Sequence, residues 1–291
     1  MTKVLVVIVT YNAHRWIRQC LDSVDRQRYD VFVIDNASTD DTVQILAEYP
    51  DCLTHPSATN LGFGQANNIG LRYAVDKGYD YVLLLNQDAW LLPDTIEQLV
   101  ALQQQNHAYW ILSPMQRNTE RGGFEQQFET YLPKDYSHTP VYAVPFVNAA
   151  LWLIPVACVK QVGGFDPLFP HYGEDNDYLQ RVRYWGGRVG ICTGVTAYHE
   201  REVSSQDSSK LLYRTTLGYL NLLKDINHPL CVTILTVWGY CLRKVTKYIF
   251  TGQFRMAGIS FSALHHCHRQ LASVKHHRLL SKQQGAFLFE S

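Results

Sequence analysis

Apolar and polar positions switch between two periods along most of the chain. Val4–Thr10 is an unbroken apolar, β-branched run of strand length. Trp16, Ile17, Cys20, Leu21 and Val24 follow at helical spacing, and residues 31–34 predict a second short strand. Ser38 and Asp41, three apart, with Asp in place of the usual Glu or Gln, predict the opening of a helix carrying Val43, Leu46 and Ala47. Residues 64–76 read as a helix with Ala66, Ile69 and Tyr73 on one face, and residues 81–85 as another continuous strand. Pro93 suits the first turn of a helix that buries Ile96, Leu99 and Val100. Residues 113–142 are weakly patterned and read as a loop or excursion. Residues 143–155, interrupted by Asn148, and residues 189–198, ending at His199, read as further strands. Continuous apolar strands between amphipathic helices predict an α/β fold with a mostly parallel sheet covered on both faces.

Composition narrows the class. Hydrophobic residues make up 46% of the 291 and charged residues 18%, which excludes a disordered chain and allows one large core with or without an appendage. Seven cysteines without a C-x-x-C pair argue against a disulfide framework or a cysteine zinc site and favour a reducing compartment. The apolar N-terminus reads as a strand and not as a signal peptide, because no small-residue cleavage site follows.

The net charge of zero conceals a split. Residues 1–225 hold 18 Lys/Arg against 25 Asp/Glu, whereas residues 226–291 hold 8 against a single acid, Glu290, and six of the twelve histidines. Such a division predicts an acidic body and a basic tail directed at an anionic surface. Residues 229–242 are fourteen without a charge, fewer than the ~20 that span a bilayer. Arg243, Lys244 and Lys247 come next, then Tyr248, Ile249 and Phe250. Aromatic residues beside cations suit a membrane interface. Residues 210–291 therefore read as a basic, amphipathic helical extension, with 229–282 on the inner leaflet of the plasma membrane. A helical subdomain packed on the body, or a homodimer interface, is the alternative. Nucleic acid is not expected, since the tail is more aliphatic than a phosphate-tracking surface needs. His265, His266, His268, His276 and His277 have no accompanying acids or cysteines that would make a metal site.

In α/β sheets functional groups collect at the carboxyl ends of the strands. Thr10, Tyr11 and Asn12 follow the first strand, Asp35 to Ser38 the second, and Asn86, Gln87 and Asp88 the third long one. Asp88 alone is equally compatible with a turn before Pro93. Together with Asp35 and a later histidine it is a candidate ligand for a hard divalent cation. Glu174, Asp175 and Asp177 open a helix with Tyr178, Val182 and Trp185 on one face. Acids in that place serve the helix dipole, or one of them serves as a general base beside a crevice. His199 ends a strand and is followed by Glu200 and Arg201.

Taken in order, VVIVTYN, VIDNASTDDT, NLGFGQANNIGLRYA, LLLNQDAWLLP, GGFDPLFPHYGEDNDYLQRVRYWGG and YHE resemble the inverting nucleotide-sugar glycosyltransferases of family 2, which have the GT-A fold. The resemblance covers residues 3–205. The Asn-Gln-Asp form of the metal motif is similar to that of the branch with bacterial rhamnosyltransferases and other cell-surface polysaccharide enzymes. The resemblance implies a catalytic domain over 1–209, with a nucleotide-sugar half at 1–112 and an acceptor half at 113–209. It implies that Thr10, Tyr11 and Asn12 hold the nucleobase. Asp35 would accept the imide N–H of uracil or thymine, which favours a UDP- or dTDP-sugar, dTDP-rhamnose among them. Asn60, Gly62 and Asn67 match the segment near the donor. Asn86 replaces the first aspartate of D-x-D, Gln87 follows, and Asp88 carries Mg2+ or Mn2+ with His199 as the second contact. Asp175 matches the base, with Glu174 to orient it, and Asn148 and Trp152 lie in the acceptor-side strand. Arg201 and residues 202–205 form either a lid with a counter-charge or an ordinary polar loop. The implied activity is sugar transfer with inversion to a glycan or lipid-linked hydroxyl in bacterial surface polysaccharide synthesis, at the cytoplasmic face of the membrane. A non-catalytic sugar-nucleotide scaffold is the rival. A nucleotidyltransferase is disfavoured because VTYNAHRW has no glycine for a triphosphate loop.

Overall fold

Seven apolar or β-branched residues make β1 (Val4–Thr10) the buried centre of the N-terminal half. Alternation sends Val4, Val6 and Ile8 into one core layer and Leu5 and Val7 into the other. The same division recurs in β4 (Tyr81–Asn86), where Leu83 and Leu85 oppose Val82 and Leu84. The structure is a computed structural model and describes residues 2–120, 122–132, 135–136, 138–200 and 208–288.

β2 (Asp30–Asp35) and β4 flank β1 in parallel, and the exposed edge strand β3 (Leu53–Pro56) runs parallel to β2. Beyond β4 the sheet becomes mixed. β9 (Leu151–Pro155) lies between β4 and β6 (Tyr109–Asn118), antiparallel to both. β10 (Arg188–His199) runs parallel to β6, and β5 (Ala89–Leu91) closes the edge antiparallel to β10. The expected α/β architecture of a sheet flanked by helices holds.

Several local expectations need correction. The Ser38–Asp41 box does not form. α2 (Thr42–Leu46) has Asp41 at its N-cap without a side-chain bond, and Asp40 accepts the Thr42 N–H at 3.0 Å instead. That helix buries Thr42, Ile45 and Leu46, while Val43 and Ala47 face solvent. The helix after Pro93 begins at Thr95 (α4, Thr95–Gln105), burying Ile96, Leu99 and Val100 as expected. Residues 113–118, read as loop, belong to β6. Ser113 and Gln116 are fully buried there, and these polar groups broke the apolar pattern that marks a strand.

α3 (Gly62–Lys77), α6 (Val156–Val162) and α7 (Glu174–Tyr184) cover the face of the sheet that holds Trp152 and Ile154. The tail forms α8 (Ser208–Lys224), α9 (Leu230–Phe250), α10 (Phe254–Arg269) and α11 (Leu271–Leu280) around a core of its own, which Phe169 of the body enters. Tail and body are also locked by charge. The fully buried Lys224 ammonium lies 2.7 Å from Asp166 and 3.0 Å from Asp177 of α7, and donates to Ser281 at 2.5 Å. Leu288, near the end of the chain, is buried in the body's core beside α3. The packed subdomain is therefore present.

Candidate active site

The ends of β1, β4 and β10 and the start of α7 border one cleft of about 520 Å³. Asn12, Asn86, Gln87, Asp88, Asn148, Glu174, Asp175 and His199 all line it. Residues drawn from five separate stretches of sequence thus meet.

One wall pairs Asp88 with His199. The register of β10 against β5 sets His199 opposite Ala89, and the Glu200 N–H donates to the Asp88 carbonyl at 2.9 Å. The His199 Nε2 consequently lies 3.6 Å from Asp88 Oδ1. Its tautomer follows from the neighbouring amides. Gln116 Nε2 donates to Asn148 Oδ1 at 2.8 Å and to Ser113 Oγ at 3.2 Å, which leaves Gln116 Oε1 as the acceptor 3.2 Å from His199 Nδ1. In the neutral imidazole Nδ1 therefore carries the proton, and the Nε2 lone pair faces Asp88. A carboxylate oxygen and a bare imidazole nitrogen fit a divalent cation. Among the described residues no group of three or more His, Cys, Asp or Glu gathers for a metal. The protein would thus supply two donors, and a diphosphate and water the rest.

The other wall is the first turn of α7. Tyr172 and Gly173 precede it with φ of 68° and 91°, both in the left-handed region. A Cβ on Gly173 would lie 2.6 Å from the Asn221 amide nitrogen of α8, so α8 presses directly on this turn. Glu174 is 7% exposed, and its Oε2 is buried without a hydrogen-bond partner. Burial, then the charge of Asp175, pushes its carboxyl up to about 8. The helix N-terminus favours an anion, but burial outweighs it, and Glu174 carries a proton at neutral pH. Asp175 is half-buried, with Oδ1 accepting from the Asn176 N–H at 2.8 Å.

Thr10, Tyr11, Asp35, Asn60 and Gly62 brace the cleft and do not form its wall. The Thr10 hydroxyl donates to Asp35 Oδ1 at 3.0 Å, and the Ser38 N–H donates to Asp35 Oδ2 at 3.1 Å. Gln87 accepts from the Tyr11 N–H at 2.7 Å and donates to the Tyr11 carbonyl at 3.2 Å, leaving the Tyr11 ring exposed. Asn60 accepts from Asn36 at 3.0 Å and from the Gly62 N–H at 2.9 Å. Gly62 has φ 78°, and a Cβ there would lie 1.9 Å from the Pro170 carbonyl oxygen. Only glycine lets α3 meet the loop before α7 so closely.

Two assignments are corrected. Asn67 is buried, and its amide donates to the Phe63 carbonyl inside α3 at 2.9 Å. Trp152 is fully buried among Phe165 and Tyr178, because strand alternation turns it into the core. Neither lines the cleft. Arg201 and residues 202–205 lie outside the described residues. Gln116 went unseen in a segment read as loop. Arg15, which lines the cleft and stacks over Trp16 at 4.4 Å, also went unseen; its signal was a cation in the segment between the first strand and the first helix.

Known proteins share this fold and part of this sequence. The family model for Glycosyl transferase family 2 matches residues 5–163, more than half of the chain. The chain belongs to that family. Poly(ribitol-phosphate) beta-N-acetylglucosaminyltransferase TarS of Staphylococcus aureus is 27% identical over 143 residues, 46% of this chain. The chain spans only about a quarter of that relative's length (24%). The structure of TarS 1–349 in complex with UDP-GlcNAc superimposes with a TM-score of 0.59 at 16% identity, covering 97% of this chain and 90% of that one. The N-acetylglucosaminyl-diphospho-decaprenol L-rhamnosyltransferase of Mycobacterium tuberculosis is 27% identical over 250 residues, 73% of this chain and 81% of that one. The mannosyltransferase PcManGT from Pyrobaculum calidifontis, in complex with GDP-Man and Mn2+, has a TM-score of 0.59 at 19% identity, over 94% of this chain and 78% of that one.

The buried Glu174 makes stability depend on pH. Its folded-state pKa is raised, so its contribution is complete below the ordinary carboxylate range and is lost as pH rises toward about 8. Glu174→Gln is expected to raise Tm relative to the wild type at about pH 9 and to leave it nearly unchanged at about pH 4. Thermal melts at both pH values check this; an equal difference at both contradicts it. Gln116→Ala frees the imidazole to change tautomer and is expected to weaken Mn2+ affinity about 10- to 100-fold in the presence of UDP, read by calorimetry.

Proposed function

We propose that this chain is an inverting, cation-assisted transferase that moves a sugar from a UDP- or dTDP-sugar to a hydroxyl of a glycan or lipid-linked acceptor. The observation that carries the reading is the meeting of Asp88, His199, Glu174 and Asp175 in one cleft. Asp88 and His199 would hold Mg2+ or Mn2+, which when bound would supply positive charge beside the departing diphosphate. Asp175 takes the proton of the acceptor hydroxyl as that oxygen attacks the anomeric carbon from the face opposite the diphosphate. One displacement inverts the configuration. Glu174, protonated, donates a hydrogen bond to a substrate oxygen and does not compete with Asp175 for the proton. Tyr11 lies against the nucleobase. Asp35, whose oxygens each keep a second lone pair, accepts the imide N–H of uracil or thymine.

The family's bacterial polysaccharide relatives support a role in surface glycan assembly. A rhamnosyl donor and a lipid-diphosphate acceptor draw support from the mycobacterial relative's name, and a divalent cation from the Mn2+ in the PcManGT structure. The reading places the chain peripherally on the cytoplasmic face of the plasma membrane, where a lipid-linked acceptor and the basic tail would meet.

A thermal-shift screen of UDP- and dTDP-sugars with Mn2+ or Mg2+ tests the donor. With the donor so found, Asp175→Asn is expected to lower turnover roughly 10²–10⁴-fold while donor binding survives. Near-normal turnover would remove Asp175 as the base. Asp88→Ala is expected to abolish the cation-dependent part of donor affinity, and calorimetry showing the same affinity with and without Mn2+ in the wild type refutes the cation site.

A further inference from the structure

The outward face of the C-terminal helices carries an apolar stripe that the described part of the chain leaves uncovered. Val232, Leu235, Trp238, Leu242, Ile249 and Phe250 of α9 are all exposed. At 100° per residue they fall within roughly a third of the helix circumference. Thr233, Val237 and Cys241 occupy the opposite face and are buried. The exposure is large: 71% for Leu235, 67% for Leu242 and 86% for Phe250. α10 packs beside α9 and adds Phe254 and Phe261, 70% and 64% exposed and seven residues apart. Trp238 and His268 pair across the two helices at 5.3 Å, so the two surfaces form one face. Scattered exposed apolar side chains need no explanation, but a contiguous face of this kind marks an interaction surface.

Its charges say what covers it. Arg243 and Lys247 flank the stripe along one side of α9, and Arg255 opens α10. Lys244 turns inward instead and sits 4.8 Å from the Tyr240 ring. No Asp or Glu occurs between residues 226 and 288. A second copy of this face would set its cationic border against other cations with no acid to match them. An anionic lipid surface matches both the apolar stripe and the border. No helix among the described residues is long and apolar enough to cross a membrane. We infer that the α9–α10 face docks in plane on an anionic bilayer, with Leu235, Leu242, Phe250 and Phe254 entering the acyl boundary and Arg243, Lys247 and Arg255 meeting phosphate headgroups. The inference rests on the proposed function only in taking the chain to a lipid-linked acceptor; the surface itself is read from the helices.

Flotation of the full chain tests it, using vesicles of phosphatidylcholine alone and of phosphatidylcholine mixed with phosphatidylglycerol. The wild type is expected to float with the mixed vesicles at low salt and to bind the neutral ones far more weakly. Arg243→Ala with Lys247→Ala is expected to weaken binding to mixed vesicles roughly 30-fold. Leu242→Ser with Phe250→Ser is expected to abolish flotation while Tm and sugar-nucleotide affinity stay unchanged, since both side chains are exposed. Undiminished flotation of the serine variant overturns the inference, as does failure of the wild type to float. Sedimentation showing a dimer that the serine variant dissociates would assign the face to a second copy instead. Sugar-nucleotide binding without flotation sinks this surface alone, and flotation without sugar-nucleotide binding sinks the proposed function alone.

Discussion

The antiparallel register that sets His199 opposite Ala89 is the constraint on which the site depends. Asp88 and His199 are far apart in sequence, and nothing local in either segment brings them together. The bond from the Glu200 N–H to the Asp88 carbonyl fixes the register. The buried Glu200 carboxylate then ties the end of β10 to the end of β6 through the Thr119 N–H at 2.5 Å and through Asn118. Hydrogen bonds to a charged acceptor are each worth ~1.5–3 kcal/mol. Three strand ends are thereby fused where the cleft opens, and Gln116, on one of them, reaches the imidazole of another.

The opposite wall depends on the tail. Asp177 and Arg181 of α7 pair at 2.8 Å, and both are fully buried. Arg181 also donates to the Val162 and Gly164 carbonyls. Lys224 balances Asp177 and Asp166, and His277 reaches Asp166 at 2.6 Å. Burial works against an ionised Asp166, but the His277 hydrogen bond and the Lys224 charge hold it below the usual carboxylate range. Removing one member of such a network leaves an uncompensated buried charge, at a cost of ~3–5 kcal/mol. The first turn of α7, with Glu174 and Asp175, is therefore held from both sides, and the tail is part of the site's scaffold.

The parts of this architecture that rest on local patterning were legible in the sequence. The unbroken apolar strands β1 and β4, the helix with Tyr178 and Val182 inward, and the polar residues at strand ends followed from period and position. What rests on non-local contacts was not. β6 was hidden because Ser113 and Gln116 are polar at buried positions, and the partner of Gln116 is a histidine from another strand. Trp152 looked like an acceptor platform, but only the strand's facing decides whether an indole meets a sugar or a core, and that facing depends on the antiparallel insertion of β9. Ser38 and Asp41 had the spacing of a cap, yet the Ser38 hydroxyl accepts the Asn12 N–H at 3.0 Å and so serves the cleft loop. The basic tail showed its charge in composition, but its division into an inward face that carries Lys244 and an outward face bordered by Arg243 and Lys247 needed the helices themselves.

Electrostatics also constrains how the cleft receives its substrate. The body carries more acids than cations, which is unfavourable for approach by the doubly charged diphosphate of the proposed donor. Were Glu174 ionised, the cleft would present three carboxylates to that anion. Burial keeps it neutral and leaves Asp88 and Asp175, whose formal charge a single divalent cation matches, while Arg15 adds a cation to the lining. The same excess of acid that burdens the cleft acts usefully over the whole molecule. Near an anionic bilayer the body is repelled and the tail attracted, a torque felt only within about a Debye length, ~8–10 Å, and weakened by salt. On the inferred bilayer, orientation would thus be set at close range by charge and held by the apolar face of α9 and α10, so that buried protonation inside the cleft and exposed cations outside it would solve opposite halves of one problem.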